Sequence, residues 1–142
     1  MVVIINRLKT SPIPQKKIKS LLEKLNRKYG QPKAEVVVSF IGPKAMRSLN
    51  KKYRNQDRPT DVLSFSLGEE GPDGKFYLGD IIICPEVAKK QARQQGHTLS
   101  REIEILAIHG FLHLIGFKHF KGIEEEEAKI RAAFLKDDLA KP

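Results

Sequence analysis

The stretch IEILAIHGFLHLIGFKH, residues 103–119, decides how this chain is expected to fold. Apart from its histidines, the part before the second glycine is mostly apolar, which predicts a buried central helix. His109 and His113 are four residues apart, so they lie on one face of that helix, one turn above the other. Gly116 suits the left-handed conformation that ends a helix, and the chain reversal there could bring His119 under the same face.

Three converging histidines predict a site for one metal ion. A tetrahedral ion with three protein ligands keeps one position for water or substrate, as catalytic zinc sites do. Imidazole suits Zn²⁺, but other divalent transition metals such as nickel, cobalt and copper accept the same donors, and the spacing does not choose among them. Cys84 is the only cysteine, which excludes an internal disulfide and a cysteine-ligated metal.

The histidine spacing also matches the metzincin protease motif H-E-x-x-H-x-x-G-x-x-H. In those proteases the residue after the first histidine is the glutamate that acts as general base. Here that residue is Gly110, which can neither take nor give a proton. A zinc peptidase is therefore disfavoured.

Composition and charge narrow the class of protein. With 142 residues, 40% of them hydrophobic and 30% charged, the chain is expected to form a single domain over residues 1–142. No apolar run approaches the roughly 20 residues that span a bilayer, and the first residues lack the features of a signal peptide, so no membrane partner and a cytoplasmic location are expected. The net charge of +9 favours nucleic acid as a partner, although a basic surface also serves solubility alone.

Apolar periodicity and turn residues predict an α+β fold of element order βαβαββααα, with a mixed four-stranded sheet packed with helices. The predicted strands are residues 1–6, 35–41, 60–67 and 76–84, the last two joined by a hairpin connection over 68–75. The predicted helices begin after Pro12 and Pro14 and end at Gly30, begin at Pro43, and cover 86–95, about 100–115 with Ser100 at its start, and about 123–137. The acidic run at 124–127 is expected to be a solvated helix start.

The chain resembles the YbeY family of bacterial endoribonucleases, which act in ribosomal RNA maturation. The resemblance rests on the histidine motif of residues 109–119 and on other motifs in the same order. These are YR at 53–54, TDVLSF at 60–65, LGDI at 78–81 and GH at 96–97. One residue departs from the family pattern, because Lys118 stands where an aspartate usually precedes the third histidine.

The resemblance implies a zincin-like fold with His109, His113 and His119 as ligands of one Zn²⁺ ion. It also implies hydrolysis of single-stranded RNA, including maturation of the small-subunit ribosomal RNA 3′ end, and ribosome quality control. Single-stranded RNA, ribosomal RNA and the ribosome or its associated proteins are then the expected partners, and no DNA partner is expected. Attack by a metal-activated water and attack by a ribose 2′-hydroxyl on a metal-polarised phosphate both remain open.

Three further residues are candidates for the catalytic site. Arg54, the arginine of the YR motif, could fork onto two phosphoryl oxygens as negative charge develops on them. Asp61 and Asp80 lie near the ends of predicted strands, where either could orient a ligating histidine through its second ring nitrogen. Hydrogen bonding within a turn or cap is the competing interpretation for both aspartates. An RNA-binding ribosome assembly factor with a mainly structural metal is the alternative function.

Overall fold

The strands and helices form where the β-branched runs and the apolar periodicity predict them. The computed structural model describes residues 1–8, 13–116 and 122–135, and within these the element order is βαβαββααα, as predicted. The strands are β1 (Val2–Asn6), β2 (Glu35–Phe40), β3 (Val62–Glu70) and β4 (Phe76–Ile83). The helices are α1 (Gln15–Lys28), α2 (Pro43–Arg54), α3 (Pro85–Gln95), α4 (Leu99–Leu114) and α5 (Ile123–Phe134).

The four strands make one mixed sheet in the order β1-β2-β4-β3. The pairs β1–β2 and β2–β4 are parallel, because helices carry the chain between them, whereas the hairpin makes β3 and β4 antiparallel. The mixed sheet of the predicted single α+β domain is thereby confirmed. β3 is an edge strand of the sheet, and this edge carries the candidate site.

The larger part of the core lies between the sheet and helices α1, α4 and α5. The predicted apolar face of α1 is buried there, with β2 contributing alternate residues as a half-buried strand should. On α4, Ile103, Ile108, Phe111 and Leu112 are fully buried, which confirms the predicted central helix. Among the described residues, no helix combines the length and apolar character needed to span a bilayer.

A smaller apolar cluster lies on the opposite face of the sheet, beneath α2. Its buried members are Ile41, Met46, Leu63 and Cys84, with Phe65 packed against them. Since side chains alternate across a strand, Leu63 and Phe65 place every second residue of β3 on this face. Ser64 and Ser66 point the other way, toward α4, so β3 contacts a different helix on each side.

Several element boundaries differ from the predictions. Strand β3 begins at Val62 rather than at residue 60 and extends to Glu70, because the ladder resumes beyond a register shift between Ser66 and Glu69, whereas β4 begins at Phe76 as predicted. Helix α4 begins at Leu99 rather than near Ser100, since the Thr98 hydroxyl accepts a hydrogen bond from the Arg101 amide at 3.1 Å and caps the helix. Helix α3 begins with Pro85 as its first residue, and α5 ends at Phe134 rather than near 137. Pro12 lies outside the described residues.

Candidate metal centre and arginine edge

Helix α4 lies unusually close to the sheet at Gly110. A Cβ atom at this glycine would lie 2.8 Å from Cγ2 of Ile81 and 3.1 Å from Oγ of Ser64. The glycine therefore lets the helix backbone rest directly on β3 and β4. The adjacent His109 is held beside the edge strand as a result.

The two histidines of α4 converge as their spacing predicts. Nε2 of His109 and Nε2 of His113 are 3.0 Å apart, and the ring centroids are 4.6 Å apart with the planes at 72°. Two imidazole nitrogens bound to one tetrahedral zinc ion would be about 3.3 Å apart, from zinc–nitrogen distances of about 2.0–2.1 Å. The pair therefore fits a common metal ion with little movement.

A carboxylate from α5 is hydrogen-bonded to one of the two histidines. Oε1 of Glu127 lies 2.6 Å from Nδ1 of His109, and the hydrogen bond between them raises the pKa of His109 while partial burial opposes that rise. Because an ionised carboxylate only accepts, Nδ1 must donate, and the lone pair of a neutral His109 is then on Nε2, toward His113. This is the tautomer that a metal site requires.

The prediction that residues 124–127 form a solvated helix start was wrong for two of the four glutamates. The carboxylate of Glu126 accepts a hydrogen bond from the hydroxyl of Tyr29, at the end of α1, and Glu127 bonds His109. Since adjacent residues on a helix point about 100° apart, neighbouring glutamates can reach different elements. The sequence signal for Glu127 was an acidic run soon after the histidine motif, but an acidic first turn is also what the helix dipole favours.

The third predicted ligand, His119, and the neighbouring Lys118 lie outside the described residues. Within the described ranges, no group of three histidine, cysteine or acidic side chains is arranged to hold a metal ion. Gly116, which follows the end of α4, has a φ of +105°. The chain therefore leaves the helix through a glycine with positive φ, as predicted.

Arg54 lies at the end of α2 and reaches the edge strand. Its Nη2 donates to the carbonyl oxygen of Ser64 at 3.0 Å, and its guanidinium carbon lies 5.0 Å from the centroid of the Phe65 ring. The side chain stays exposed to solvent. The backbone and the ring thus fix the direction of an accessible guanidinium.

Ser64 links Arg54 to the histidine helix. Its carbonyl oxygen accepts from Arg54, while its side chain lies against Gly110, the residue after His109. Arg54 and the histidine pair are therefore placed at the same position along the edge strand β3. They approach it from α2 on one face of the sheet and from α4 on the other.

The two aspartates are placed differently from each other. Oδ1 of Asp61 accepts from the amide of Val62 at 2.8 Å and from the hydroxyl of Thr60 at 3.2 Å, which is the hydrogen bonding of a turn. The Asp61 charge is nonetheless near enough to add to the raised pKa of His109, after the larger effects of Glu127. An electrostatic influence on His109 thus accompanies the turn role.

Asp80 points away from the histidine helix. It pairs with Phe65 across β3–β4, and Ile81, the next residue, faces α4 at Gly110, so Asp80 faces α2. Burial raises the pKa of its carboxyl. The placement does not favour the predicted orienting role of Asp80 toward a histidine of α4, and Glu127 is the carboxylate found beside His109.

Comparison with known proteins relates this site to one family. A model of the family described as Endoribonuclease YbeY matches residues 3–137. The chain is 44% identical over 110 residues to "Endoribonuclease YbeY" of Staphylococcus carnosus, covering 74% of this chain and 72% of that protein. It is 42% identical over 120 residues to the protein of the same name from Staphylococcus aureus, covering 79% and 77%.

A solved structure agrees with the sequence relatives. The solution structure of TM1509 from Thermotoga maritima superimposes with a TM-score of 0.65 at 31% identity, covering 100% of this chain and 94% of that one. The family match and the shared fold extend over nearly all of the sequence, including both helices that carry the histidine pair and Glu127. The chain belongs to the Endoribonuclease YbeY family.

Proposed function

We propose that this chain is a metal-dependent endoribonuclease that cleaves single-stranded RNA in the cytoplasm. Its substrates would be ribosomal RNA, in small-subunit 3′-end maturation and in ribosome quality control, with the ribosome or its associated proteins as partners. The observation that carries the proposal is the histidine pair of α4, with nitrogens 3.0 Å apart, beside the same edge strand that Arg54 of α2 contacts. The names of the relatives, "Endoribonuclease YbeY", support RNA as the substrate.

His109 and His113 would hold one Zn²⁺ ion, or another divalent transition metal, together with His119. The donor set supports this assignment, because both described ligands are imidazoles and Glu127 directs Nε2 of His109 toward His113. A bound ion would supply a Lewis acid beside the edge strand. The half-buried rings of His109 and His113, with the Glu127 carboxylate behind His109, would fix the position of that ion.

Arg54 would bind the phosphate that is cleaved. A guanidinium has five N–H donors, and the bonds to the Ser64 and Tyr53 carbonyl oxygens use only part of that capacity. The remaining donors can bind phosphoryl oxygens as their negative charge grows, which stabilises the transition state. The net charge of +9 would draw RNA toward the protein at long range.

The structure gives a further argument against a peptidase. The position of the protease glutamate is occupied by Gly110, whose Cβ direction points into Ile81 and Ser64 of the sheet. A side chain there would meet the packed core before it could reach a substrate. A general base from this position is therefore excluded by packing as well as by residue type.

The test is cleavage of a labelled single-stranded RNA that contains the small-subunit 3′ end. Wild type, Arg54→Ala and His113→Ala would be purified in parallel, with Arg58→Ala as a control that removes the same charge from an exposed arginine bonded to Gln56. Loss of one transition-state donor lowers kcat by about 10²–10³. We expect this for Arg54→Ala, a comparable or larger loss for His113→Ala, and near wild-type cleavage for Arg58→Ala.

Other outcomes would change the assignment. Equal cleavage by all four proteins would indicate a contaminating ribonuclease. RNA binding without cleavage by metal-loaded wild type would favour an assembly factor whose metal is structural, and destabilisation on removal of His113 would support that alternative.

A further inference from the structure

Tyr53 is an exposed aromatic side chain beside the candidate catalytic arginine. Helical spacing places it on the same side of α2 as Met46 and Leu49, yet only Met46 is fully buried and Tyr53 keeps 50% of its surface exposed. The apolar stripe of α2 therefore continues beyond the core and ends in solvent. An exposed tyrosine ring at this position needs a reason other than core packing.

The ring is held in place, although it is exposed. Its centroid is 5.2 Å from that of Phe65, with the planes at 65°, so Phe65 contacts it edge to face. The Phe65 ring also makes a cation–π contact with the guanidinium of Arg54. Tyr53, Phe65 and Arg54 thus form one ordered cluster at the free edge of β3, which we call the aromatic edge.

Both sequence neighbours of Tyr53 are cations. The ammonium of Lys52 lies 5.1 Å from the centroid of the Tyr53 ring, and the next residue on the other side is Arg54. Aromatic rings between cations are the combination that binds single-stranded nucleic acid, since bases stack on the rings and phosphates pair with the cations. The name of the relatives, "Endoribonuclease YbeY", favours an RNA strand over an acidic protein as the ligand of this cluster.

We propose that Tyr53 is a stacking platform for a nucleobase of the RNA strand whose phosphate binds Arg54. The proposal rests on the function proposed above and adds a binding subsite to it. Stacking accepts any base, so Tyr53 would set the position of the strand rather than its sequence. Because only an unpaired base can stack in this way, the platform would also favour single-stranded over duplex RNA.

The first test compares cleavage by Tyr53→Phe and Tyr53→Leu. Phenylalanine keeps the ring, whereas leucine keeps apolar contact with Phe65 but offers no flat face. Loss of one stacked base weakens binding roughly fivefold to 150-fold. We expect Tyr53→Leu to raise KM by such a factor with little change in kcat, since binding is lost equally from ground state and transition state, and Tyr53→Phe to resemble wild type.

Single abasic sites, moved one nucleotide at a time along the RNA, locate the stacked base. At one position, removal of the base should raise the KM of wild type as much as Tyr53→Leu does, with no further rise in the variant. If Tyr53→Leu cleaves every substrate as wild type does, the platform is refuted while the endoribonuclease stands. Equal losses at every position in both proteins would refute it as well.

A binding measurement separates this inference from catalysis. The chain contains no tryptophan, so Tyr53→Trp introduces a single tryptophan on the aromatic edge, which can be excited at wavelengths where the remaining tyrosines do not absorb. Single-stranded RNA should quench its fluorescence, less so when the stacked base is missing, and more than it quenches Phe76→Trp at the far end of β4. Quenching without cleavage would support the platform and refute the nuclease, whereas equal quenching in both tryptophan variants would refute the platform.

Discussion

The two faces of the edge strand β3 are built differently. On the α4 face, His109 is half-buried and its Nδ1 is fixed by a carboxylate at 2.6 Å. On the α2 face, Arg54 and Tyr53 are exposed and held by a backbone carbonyl and by the Phe65 ring. The first arrangement suits a small ligand that stays in place, and the second suits a long polymer that enters and leaves.

This difference would allow one narrow edge to combine the proposed metal site with the proposed RNA-binding site. A metal ligand gains from burial and from a fixed tautomer, because both reduce the cost of assembling the site. A phosphate-binding arginine would need solvent access, and the contacts that Arg54 makes with Ser64 and Phe65 of β3 keep its direction without covering it. The predictions below act on the α4 face, on its carboxylate support and on the buried start of α4.

Gly110→Ala should have the largest effect, because it acts where the backbone of α4 rests on β3 and β4. Alanine normally stabilises a helix by about 1 kcal/mol relative to glycine. Here its methyl group would overlap Ile81 and crowd Ser64, so we expect a net destabilisation of about 1–3 kcal/mol, measured by urea unfolding. Ile81→Ala should remove part of the overlap that Gly110→Ala creates. The double variant should therefore be more stable than the sum of the two single losses predicts.

A stabilised Gly110→Ala protein would contradict this account of the packing. The same result would mean that α4 can lift from the sheet without cost. The positions of the histidine pair and of Arg54 would then be independent of each other.

Glu127→Gln should have an intermediate effect, confined to the α4 face. The amide oxygen can still accept from Nδ1 of His109, but the charge assistance is lost. Removal of such a partner typically lowers metal affinity 10–100-fold, and we expect about tenfold here, measured by zinc competition with a chromophoric chelator. Glu125→Gln, an exposed glutamate in the same turn, is the matched control; equal affinities in the two variants would refute the role of Glu127.

Glu102→Gln should have the smallest effect, at the buried start of α4. Glu102 is 3% exposed, and its Oε1 has no hydrogen-bond partner among the described residues. Burial raises the pKa of this carboxyl, whereas the nearby charge of His97 lowers it. Folding therefore favours the protonated form, and that stabilisation is complete below the unfolded pKa of about 4.3 and is lost as the pH rises through the folded pKa.

Glutamine does not titrate, so the stability of Glu102→Gln relative to wild type should increase from pH 4 to pH 8. We expect the gain to grow as the pH rises through the folded pKa, because glutamine carries no charge that burial must remove from water. Urea unfolding at several pH values measures it. A difference in stability that stays constant over this pH range would show that burial does not raise the pKa of the Glu102 carboxyl.

The sequence was sufficient for the parts of the site that depend on local spacing. His109 and His113 are one helical turn apart and Gly110 stands in place of the protease glutamate, so the convergence of the two imidazoles and the lack of that base both follow from a single helix. The order of elements followed from periodicity in the same way. Strand alternation could also have indicated that Asp80 and Ile81 face opposite sides of the sheet, because they are adjacent residues of one strand.

The remaining features depend on how distant elements pack. Glu127 is 18 residues from His109, and no local pattern indicates which of four consecutive glutamates reaches the imidazole. Arg54 meets Ser64 only because α2 ends above β3, and the exposure of Tyr53 depends on where the smaller core stops. These contacts arise from tertiary packing, which a single sequence does not specify by spacing.

The most direct test of the two-face account is the zinc content of purified protein after dialysis, measured by atomic emission. Wild type, His109→Ala and Arg54→Ala would be compared at equal concentration. The account predicts one zinc ion per chain in wild type and in Arg54→Ala, and loss of the ion in His109→Ala. Retention of wild-type zinc by His109→Ala, or its loss from Arg54→Ala, would contradict the assignment of metal binding to the α4 face.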